Sequence, residues 1–343
     1  MDYDLTSVEA PCPVCYADKG LLLYSINSAQ SAQHFVLKEK NEDVFFKLKS
    51  HIEKLWRGGK CRIIRCENCS FCFADPFIAG DSTFYRLAYQ NGGYPTWKWE
   101  HQLTYQIIKQ MVDTRRLNNF TLLEIGAGEG AFVKKIAPSL TDKKNVMCTE
   151  YSDYGLDQIK DYGIDCLSKD IRKLDDSKLK NYFDVVCLFQ VLEHMDDIDT
   201  LFPQLARLTK NKASIFISVP NPRRIEFDEL NGALLDMPPN HIGRWHESCF
   251  HHLCQRYSWK LLNHQVEPFN FGMMFRQFLT YRYLRKSQVN KSYENFIIRI
   301  NNNLLRKLLT SLSVTGDILS SIPTYRKLIS NQFGNSLFVH LET

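Results

Sequence analysis

A glycine-rich turn between an apolar run and a helical pattern constrains this chain more than any other feature. Residues 121–125 are apolar and β-prone apart from Glu124, which predicts a buried parallel strand. Three alternating glycines follow it, namely Gly126, Gly128 and Gly130. The apolar residues 132–136 then predict a helix that Pro138 ends. Glycine tolerates positive φ and lets a ligand lie against the backbone, so this strand, turn and helix predict a nucleotide site.

An acidic residue follows at the spacing that a ribose site needs. Residues 145–149 predict a second strand, and Glu150 ends it about 20 residues after the glycines, where a carboxylate accepts hydrogen bonds from ribose hydroxyls. Ala131 passes as the third small residue of a dinucleotide fingerprint, so the spacing also admits a nicotinamide cofactor. Glu124, two residues before the first glycine, favours a cationic ligand such as a sulfonium amino acid.

A series of motifs in order is more specific than any one of them. Residues 183–194 (FDVVCLFQVLEH) predict a fourth strand that runs into a loop. Together with E-I-G-A-G-E-G, T-E-Y and K-D-I, this series resembles the class I S-adenosylmethionine (SAM)-dependent methyltransferases, over roughly residues 118–270. The resemblance implies an α/β fold with a Rossmann-like, doubly wound sheet, and SAM as the cofactor.

The resemblance also implies which residues contact the cofactor. Glu124 would orient the methionine ammonium, and Glu150 would hold the ribose. Asp170 would accept a hydrogen bond from the adenine amino group. The complete implied set is Glu124, Gly126, Ala127, Gly128, Gly130, Glu150, Tyr151, Asp170, Ile171 and Gln190.

Two CxxC knuckles predict a structural zinc site near the amino end. Cys12 and Cys15 form one knuckle, Cys66 and Cys69 the other, and four thiolates suit a tetrahedral zinc ion. The segment between them is longer than in a zinc ribbon, so residues 34–56 are expected to form a hairpin or insertion. The alternative is a core of reduced thiols, and Cys61 and Cys72 compete as ligands. Eleven cysteines without a secretory leader favour metal ligands and buried thiols over disulfides.

A module of this kind ahead of a SAM domain resembles the sugar methyltransferases, which act on nucleotide-linked or polysaccharide sugars. Spaced tyrosines follow the second knuckle, as they do in that subgroup: Tyr85, Tyr89 and Tyr94. The resemblance implies that they lie over cofactor and substrate. Packing between domains is the equal alternative for these side chains.

Three histidines are candidates for the general base that a hydroxyl acceptor requires. Residues 238–248, after a predicted fifth strand at 215–219, resemble the family segment P-x-H-x-x-x-[FW] and place His241 first. His194, on the loop after the fourth strand, is second, and His246 is third. The sugar C-methyltransferases carry adjacent histidines with a glutamate near this region, whereas Asn240 precedes His241 here, so O- or N-methylation is at least as plausible. Asp196 and Asp197 raise a Mg²⁺-assisted variant, although an Asp pair that opens a helix is ordinary capping.

The carboxyl-terminal part carries an excess of positive charge. Ten Lys or Arg and only two acids (Glu294 and Asp317) lie between Arg276 and Lys327, whereas the whole chain carries +5. Residues 273–330 predict basic amphipathic helices, and residues 335–341 a final antiparallel strand. Such helices fit an anionic sugar substrate or peripheral contact with an anionic membrane; a solvated lid or dimer face is the alternative, and nucleic acid is the least favoured partner.

Composition sets the outer limits. The chain has 343 residues, 44% of them hydrophobic, which suffices for two domains. It has no long uncharged apolar run and no secretory leader, so we expect a cytoplasmic enzyme, with contact at the inner membrane face as an option. The expected segments are a zinc module (1–80), an aromatic linker and helix (81–117), the SAM domain (118–272) and the basic insertion with the final strand (273–343).

The expected function is therefore SAM-dependent methylation of a sugar hydroxyl, or sugar carbon, on a nucleotide-linked or surface-glycan substrate. The alternatives are methylation of another small molecule or of RNA, a nicotinamide oxidoreductase, and a SAM-binding scaffold without catalysis. The sequence leaves the oligomeric state open.

Overall fold

The computed structural model describes residues 3–89, 96–230, 236–269, 271–288, 292–320 and 333–343. They divide into two compact units. The larger unit comprises Asp4–Pro220, Met237–Gln265 and Ser336–Thr343. The smaller unit comprises Asn221–Asp236 and Val266–Asn335, together with Tyr3.

The described residues form strands that are numbered here in chain order: β1 (Thr6–Glu9), β2 (Lys19–Asn27), β3 (Lys60–Cys66), β4 (Cys72–Asp75), β5 (Leu122–Ile125), β6 (Val146–Thr149), β7 (Asp165–Leu167), β8 (Phe183–Phe189), β9 (Thr209–Pro220), β10 (Gly243–Arg244), β11 (Lys260–Val266) and β12 (Ser336–Glu342). The described α-helices are α1 (Ser28–Phe35), α2 (Glu42–Leu55), α3 (Ser82–Ala88), α4 (Trp99–Asp113), α5 (Val133–Ser139), α6 (Asp153–Asp161), α7 (Ile198–Leu208), α8 (Pro222–Leu230), α9 (Glu247–Tyr257), α10 (Phe271–Gln288), α11 (Tyr293–Ile298) and α12 (Asn303–Ser320).

The main sheet confirms the predicted α/β fold. Its strand order is β11-β12-β9-β8-β5-β6-β7. Strands β7, β6, β5, β8 and β9 are parallel, and β12 pairs antiparallel with β9, as expected of the final strand. Leu122 and Leu123 of β5 are fully buried, as are Val185 and Val186 of β8. Such continuous burial is typical of a parallel sheet that is covered on both faces.

The strand order places a crevice beside the glycine turn. From β5 the chain adds β6 and then β7 on one side, and it returns to add β8 and β9 on the other. Ligands of open α/β sheets bind at such a reversal, outside the carboxyl ends of the strands. The loops after β5, β6 and β8 therefore carry the candidate site.

One predicted boundary differs slightly from the structure. Helix α5 includes Pro138 and ends at Ser139, so Pro138 lies inside the helix rather than ending it. The amide of Leu140 still donates to the carbonyl of Ile136, which closes the last turn around the proline.

A second, antiparallel sheet in the larger unit has the order β1-β2-β3-β4-β10. Helices α1 and α2 lie between β2 and β3, so the predicted insertion is helical and begins at Ser28. The short strand β10 comes from much later in the chain, and its Gly243 pairs with Phe73 of β4. This pairing joins the segment that carries His241 to the sheet of the cysteine knuckles.

The smaller unit contains helices α8, α10, α11 and α12. Met274 and Phe333 are buried, with Phe227 and Phe269 packed against them. Arg224 of α8 pairs with Asp228 at 2.8 Å. Residues 289–291 and 321–332 lie outside the described residues, as does Tyr94. Within the described ranges, we find no helix with the length and apolar character needed to cross a bilayer.

Candidate functional site

The glycine turn after β5 has the geometry that only glycine adopts easily. Gly126, Gly128 and Gly130 have φ values of +70°, +56° and +78°. A Cβ on Gly126 would lie 2.6 Å from Cγ2 of Val191, so a side chain is excluded there by contact as well as by φ. The amides of Gly126 and Ala127 both donate to the carbonyl of Thr149 at the end of β6. Ala127 itself is only 8% exposed, so it presents backbone rather than side chain to a ligand.

Glu150 fastens this turn to the end of β6. Its Oε2 accepts a hydrogen bond of 2.7 Å from the Gly128 amide. Its Oε1 accepts from the amides of Tyr151 (2.9 Å) and Ser152 (2.8 Å). Each carboxylate oxygen accepts more than one hydrogen bond, so contact with a ribose remains available to this side chain.

Gly155 lies against the glycine turn, and the sequence patterns did not single it out. It lies in the first turn of α6, and a Cβ there would come within 2.4 Å of the carbonyl oxygen of Gly128. Its signal in the sequence was a glycine inside a helical pattern, which usually has a packing reason.

Glu124 fits a cationic ligand. The residue is 3% exposed, and its Oε2 has no hydrogen-bond partner in the part of the chain that the structure describes. Burial raises the pKa of this carboxyl well above 4.5, a hydrogen bond from the Val133 amide opposes the shift, and the charge of Glu150 adds to it. A buried carboxyl with an unsatisfied oxygen beside a ligand turn is suited to an ammonium group.

The three residues expected near adenine differ in how much of each side chain a ligand could reach. Tyr151 is 67% exposed, so its ring is open to stacking. The Asp170 carboxylate is bound to the Arg172 guanidinium, with Oδ2 at 2.8 Å from Nη2, and this pairing lowers the pKa of Asp170 against the opposing effect of burial. Ile171 is 2% exposed, so its side chain offers little surface to a ligand.

Gln190 lies directly after β8, with a φ of +57°. Its Nε2 donates to Glu100 Oε1 and to Ser336 Oγ, each at 3.2 Å. Glu100 lies in the first turn of α4 and is 1% exposed. An acid in the first turn of a helix is usually an ordinary partner of the helix dipole, so the sequence pattern does not single out Glu100 as a site residue.

Two of the three candidate histidines lie together. His194 and His241 have ring centroids 4.7 Å apart with the rings edge to face, although 46 residues separate them in the chain. Nδ1 of His194 is 2.8 Å from the carbonyl oxygen of Asn240, and its Nε2 is 3.8 Å from Oε1 of Glu193. Glu193 is 1% exposed, so this is a buried carboxylate beside two half-buried imidazoles.

Tyr85 completes this cluster. Its hydroxyl is 3.4 Å from Nδ1 of His194, and its ring stacks on Tyr89 with centroids 6.1 Å apart. Burial raises the pKa of Tyr85 well above 10, and the charges of Tyr89, Glu193 and Asp196 add to the shift, so the phenol stays protonated at neutral pH. The predicted tyrosine after the second knuckle is therefore brought to the histidine pair.

The third candidate base, His246, lies at the start of helix α9. It is the N-cap residue of α9, whose first turn packs on the second knuckle: Ser248 Oγ donates to the Cys69 carbonyl at 2.6 Å. His251 and His252 lie within α9. Asp196 binds Arg172 at 2.6 Å and accepts from the Ala79 amide, so its carboxylate is already engaged.

The four knuckle cysteines meet as predicted. Sγ of Cys12 is 3.6 Å from Sγ of Cys69, and Sγ of Cys15 is 3.5 Å from Sγ of Cys66. A tetrahedral Zn²⁺ with Zn–S bonds of about 2.3 Å places its sulfurs about 3.8 Å apart, so the donor set fits that ion. The competitors face backbone carbonyls instead, Cys61 that of Arg62 and Cys72 that of Ser70.

Glu193, His194 and His241 form a second group that could hold a cation, since one ligand atom from each lies within 4.8 Å of the others. The same three residues can also carry out acid–base chemistry. This arrangement allows both roles. A metal site would make activity depend on an added divalent cation, whereas acid–base chemistry would not.

Comparison with known proteins identifies the family. The methyltransferase domain family model matches residues 97–272, about half of the chain. A search of curated proteins finds no match. The chain shares 14% identity with a SAM-dependent methyltransferase of Archaeoglobus fulgidus, covering 71% of this chain and 94% of that one with a TM-score of 0.43.

Two further solved structures show similar scores. Magnesium protoporphyrin IX methyltransferase of Synechocystis PCC 6803, with bound S-adenosylhomocysteine, shares 14% identity over 52% of this chain and 85% of that one, at a TM-score of 0.39. Phosphoethanolamine N-methyltransferase 2 of Haemonchus contortus, in complex with SAM, shares 15% identity over 69% and 52% of the two chains, at a TM-score of 0.37. Scores this low carry no argument about the substrate. On the family match over its central domain, the chain belongs to the methyltransferase domain family and is a SAM-dependent methyltransferase.

Proposed function

We propose that this enzyme methylates a sugar hydroxyl of a nucleotide-linked or surface-glycan substrate, with a histidine of the His194–His241 pair as the general base. The observation that carries the proposal is the hydrogen bond between Nδ1 of His194 and the Asn240 carbonyl. A carbonyl oxygen only accepts, so Nδ1 must carry the proton. In that tautomer Nε2 is the basic nitrogen of the ring, the one that accepts a proton from a substrate hydroxyl.

Glu193 supports this role electrostatically. Its buried carboxyl lies 3.8 Å from Nε2, too far for a hydrogen bond but close enough to stabilise an imidazolium that has accepted the proton of a substrate hydroxyl. His241 ranks first on the sequence motif, whereas His194 has the better defined tautomer in the structure. We therefore assign the general base to the His194–His241 pair. The activities of the two alanine variants distinguish between its members.

The glycine turn and its neighbours would hold the cofactor. Glu124 would bind the ammonium, Glu150 the ribose, and Tyr151 the adenine face. Bound SAM supplies an electrophilic methyl group whose transfer is driven by relief of the sulfonium charge. The residues of the chain then need only position the acceptor and remove its proton.

The residues around the histidine pair favour methylation of an oxygen atom over methylation of a carbon atom. Asn240 precedes His241, which departs from the adjacent histidines of the sugar C-methyltransferase pattern. The stacked rings of Tyr85 and Tyr89 offer apolar faces against which the C–H face of a sugar can lie. The protonated phenol of Tyr85 is also a donor for a sugar oxygen.

The test is a comparison of His194→Ala and His241→Ala with His251→Ala, whose ring is on the exposed side of α9. Nucleotide sugars are the acceptors, and affinity for S-adenosylhomocysteine is measured in parallel. Loss of a general base lowers kcat about 10²–10⁴-fold. We expect that loss in at least one of the pair, with unchanged cofactor affinity, and full activity in the control.

Two results would overturn the proposal. Full activity in both pair variants would remove the base from these residues. Activity that appears only with an added divalent cation, and is lost in Glu193→Gln, would make the group a metal site.

A further inference from the structure

Helix α12 in the smaller unit directs polar residues towards its neighbouring helices and leaves five leucines exposed. Its half-buried or buried polar residues face α10 and α11. Ser313 Oγ donates to Glu294 Oε1 at 2.7 Å, and the hydroxyls of Tyr283 and Thr310 are 3.3 Å apart. Asp317 is 2% exposed and lies 3.1 Å from Nε of Arg282. These polar contacts link the helix to its neighbours, alongside the half-buried apolar residues Leu309, Val314 and Ile318.

Leucines cover the opposite side of α12. We call this set the leucine face; its members are Leu304 (82% exposed), Leu305 (46%), Leu308 (60%), Leu312 (60%) and Leu319 (65%). At 3.6 residues per turn these five positions fall within an arc of about 100°. Just before it, α11 leaves Phe296 at 64% and Ile298 at 46% exposure. An exposed apolar face of this kind marks a contact surface.

The charges around the leucine face identify its partner. Among the described residues 292–320, both acids are buried: Glu294 is 8% and Asp317 2% exposed. The exposed charges in that range are all positive, namely Arg299, Arg306 and Lys307. An apolar face with cationic neighbours complements an anionic lipid surface. Two copies joined face to face in parallel would instead bring their own cations together, whereas an anionic bilayer offers the opposite charge to the whole face.

We propose that the leucine face, with Arg306 and Lys307, is a peripheral docking surface for an anionic lipid bilayer. The helix lies in the interface, with its leucines below the headgroups and its cations at the lipid phosphates. This binding is separate from the proposed sugar acceptor, so either can hold without the other.

The experiment is vesicle flotation of the full chain with pure phosphatidylcholine and with phosphatidylcholine containing phosphatidylglycerol. We expect binding to the anionic vesicles that weakens as salt is raised. Arg306→Gln with Lys307→Gln should weaken it about thirtyfold, given the usual contribution of a cation near an anionic surface. Leu304→Ser with Leu308→Ser and Leu312→Ser should weaken it at least about tenfold, since apolar area is lost.

The matched control is Leu37→Ser with Leu262→Ser, two leucines of the larger unit that are 45% and 49% exposed. It should bind vesicles like the unmodified chain. Retained affinity for S-adenosylhomocysteine, together with an unchanged helical circular dichroism signal, shows that each variant is folded. The proposal is overturned if the unmodified chain does not float with anionic vesicles, or if the leucine variant floats equally well. It is also overturned if the leucine substitutions abolish a dimer instead.

Discussion

The ring of His194 donates a hydrogen bond of 2.8 Å to the backbone carbonyl of Asn240. This contact links the loop after β8 to the segment before β10, and it brings His194 beside His241. The amide of Ile242 also donates to the carbonyl of Glu193, so the two segments are joined by backbone as well as by side chain. The candidate base is thus positioned by a segment that β10 attaches to the sheet of the cysteine knuckles.

Cofactor affinity should depend on pH through Glu124. The pKa of this carboxyl is raised in the ligand-free protein, so the group is protonated over a range above the usual 4.5. A bound ammonium favours the carboxylate, so binding releases a proton and SAM affinity should rise with pH until Glu124 is ionised in the free protein. Calorimetry over a pH series measures this rise.

Glu124→Gln should remove that pH dependence and weaken SAM binding about 10–100-fold, the range for a hydrogen bond to a charged group. 5′-Methylthioadenosine, which has no ammonium group, is the matched ligand and should bind both proteins equally. The raised pKa of Glu124 in the folded protein also affects stability. The free energy of unfolding of the ligand-free protein should fall as pH rises from 4.5 to that raised pKa, because the unfolded chain loses its proton first. Equal pH profiles for the two proteins would contradict the role of Glu124.

Gly155→Ala should destabilise the protein, although alanine usually favours a helix. The new Cβ would lie 2.4 Å from the Gly128 carbonyl oxygen, so the glycine turn must shift. We expect a loss of about 1–3 kcal/mol in the free energy of unfolding and weaker binding of S-adenosylhomocysteine. Denaturant titration and calorimetry measure the two effects.

Gly316→Ala is the matched control for Gly155→Ala. Gly316 lies within α12, and no neighbouring atom of the described residues lies within 4 Å of its Cβ position. Here alanine should stabilise by about 0.5–1 kcal/mol. If both substitutions were stabilising, the close approach of Gly155 to the turn would not constrain the protein.

The purified chain should contain one zinc ion, held by the four knuckle cysteines. Cys15→Ser should lose this zinc and lower the melting temperature, because a structural zinc site contributes directly to folding. Cys72→Ser, whose thiol faces the Ser70 carbonyl, should keep one zinc per chain. Elemental analysis decides the point, and equal zinc content in the two variants would refute the ligand assignment.

The parts of the fold with strong local patterns were predictable. The β-prone residues before Gly126, the glycine turn and the final antiparallel strand all follow from patterns within a few residues of one another. The four knuckle cysteines were also predictable, because a CxxC pair is a local device for gripping one ion.

Features that depend on contacts between distant residues were not predictable. Strand β10 has two residues and exists because β4 is beside it. The hydrogen bond of His194 goes to a backbone carbonyl, which any residue at position 240 would provide. Helix α12 shows an amphipathic pattern in the sequence, but the pattern does not reveal that Ser313 and Asp317 face inward while the leucines face outward.

The most direct test of the account is transfer of a labelled methyl group from SAM to a panel of nucleotide sugars, free sugars and amines. We predict label on a sugar oxygen of a nucleotide-linked acceptor, lost in His194→Ala or His241→Ala at unchanged S-adenosylhomocysteine affinity. Label only on an amine or another non-sugar acceptor, or cofactor binding without transfer to any acceptor in the panel, would contradict it.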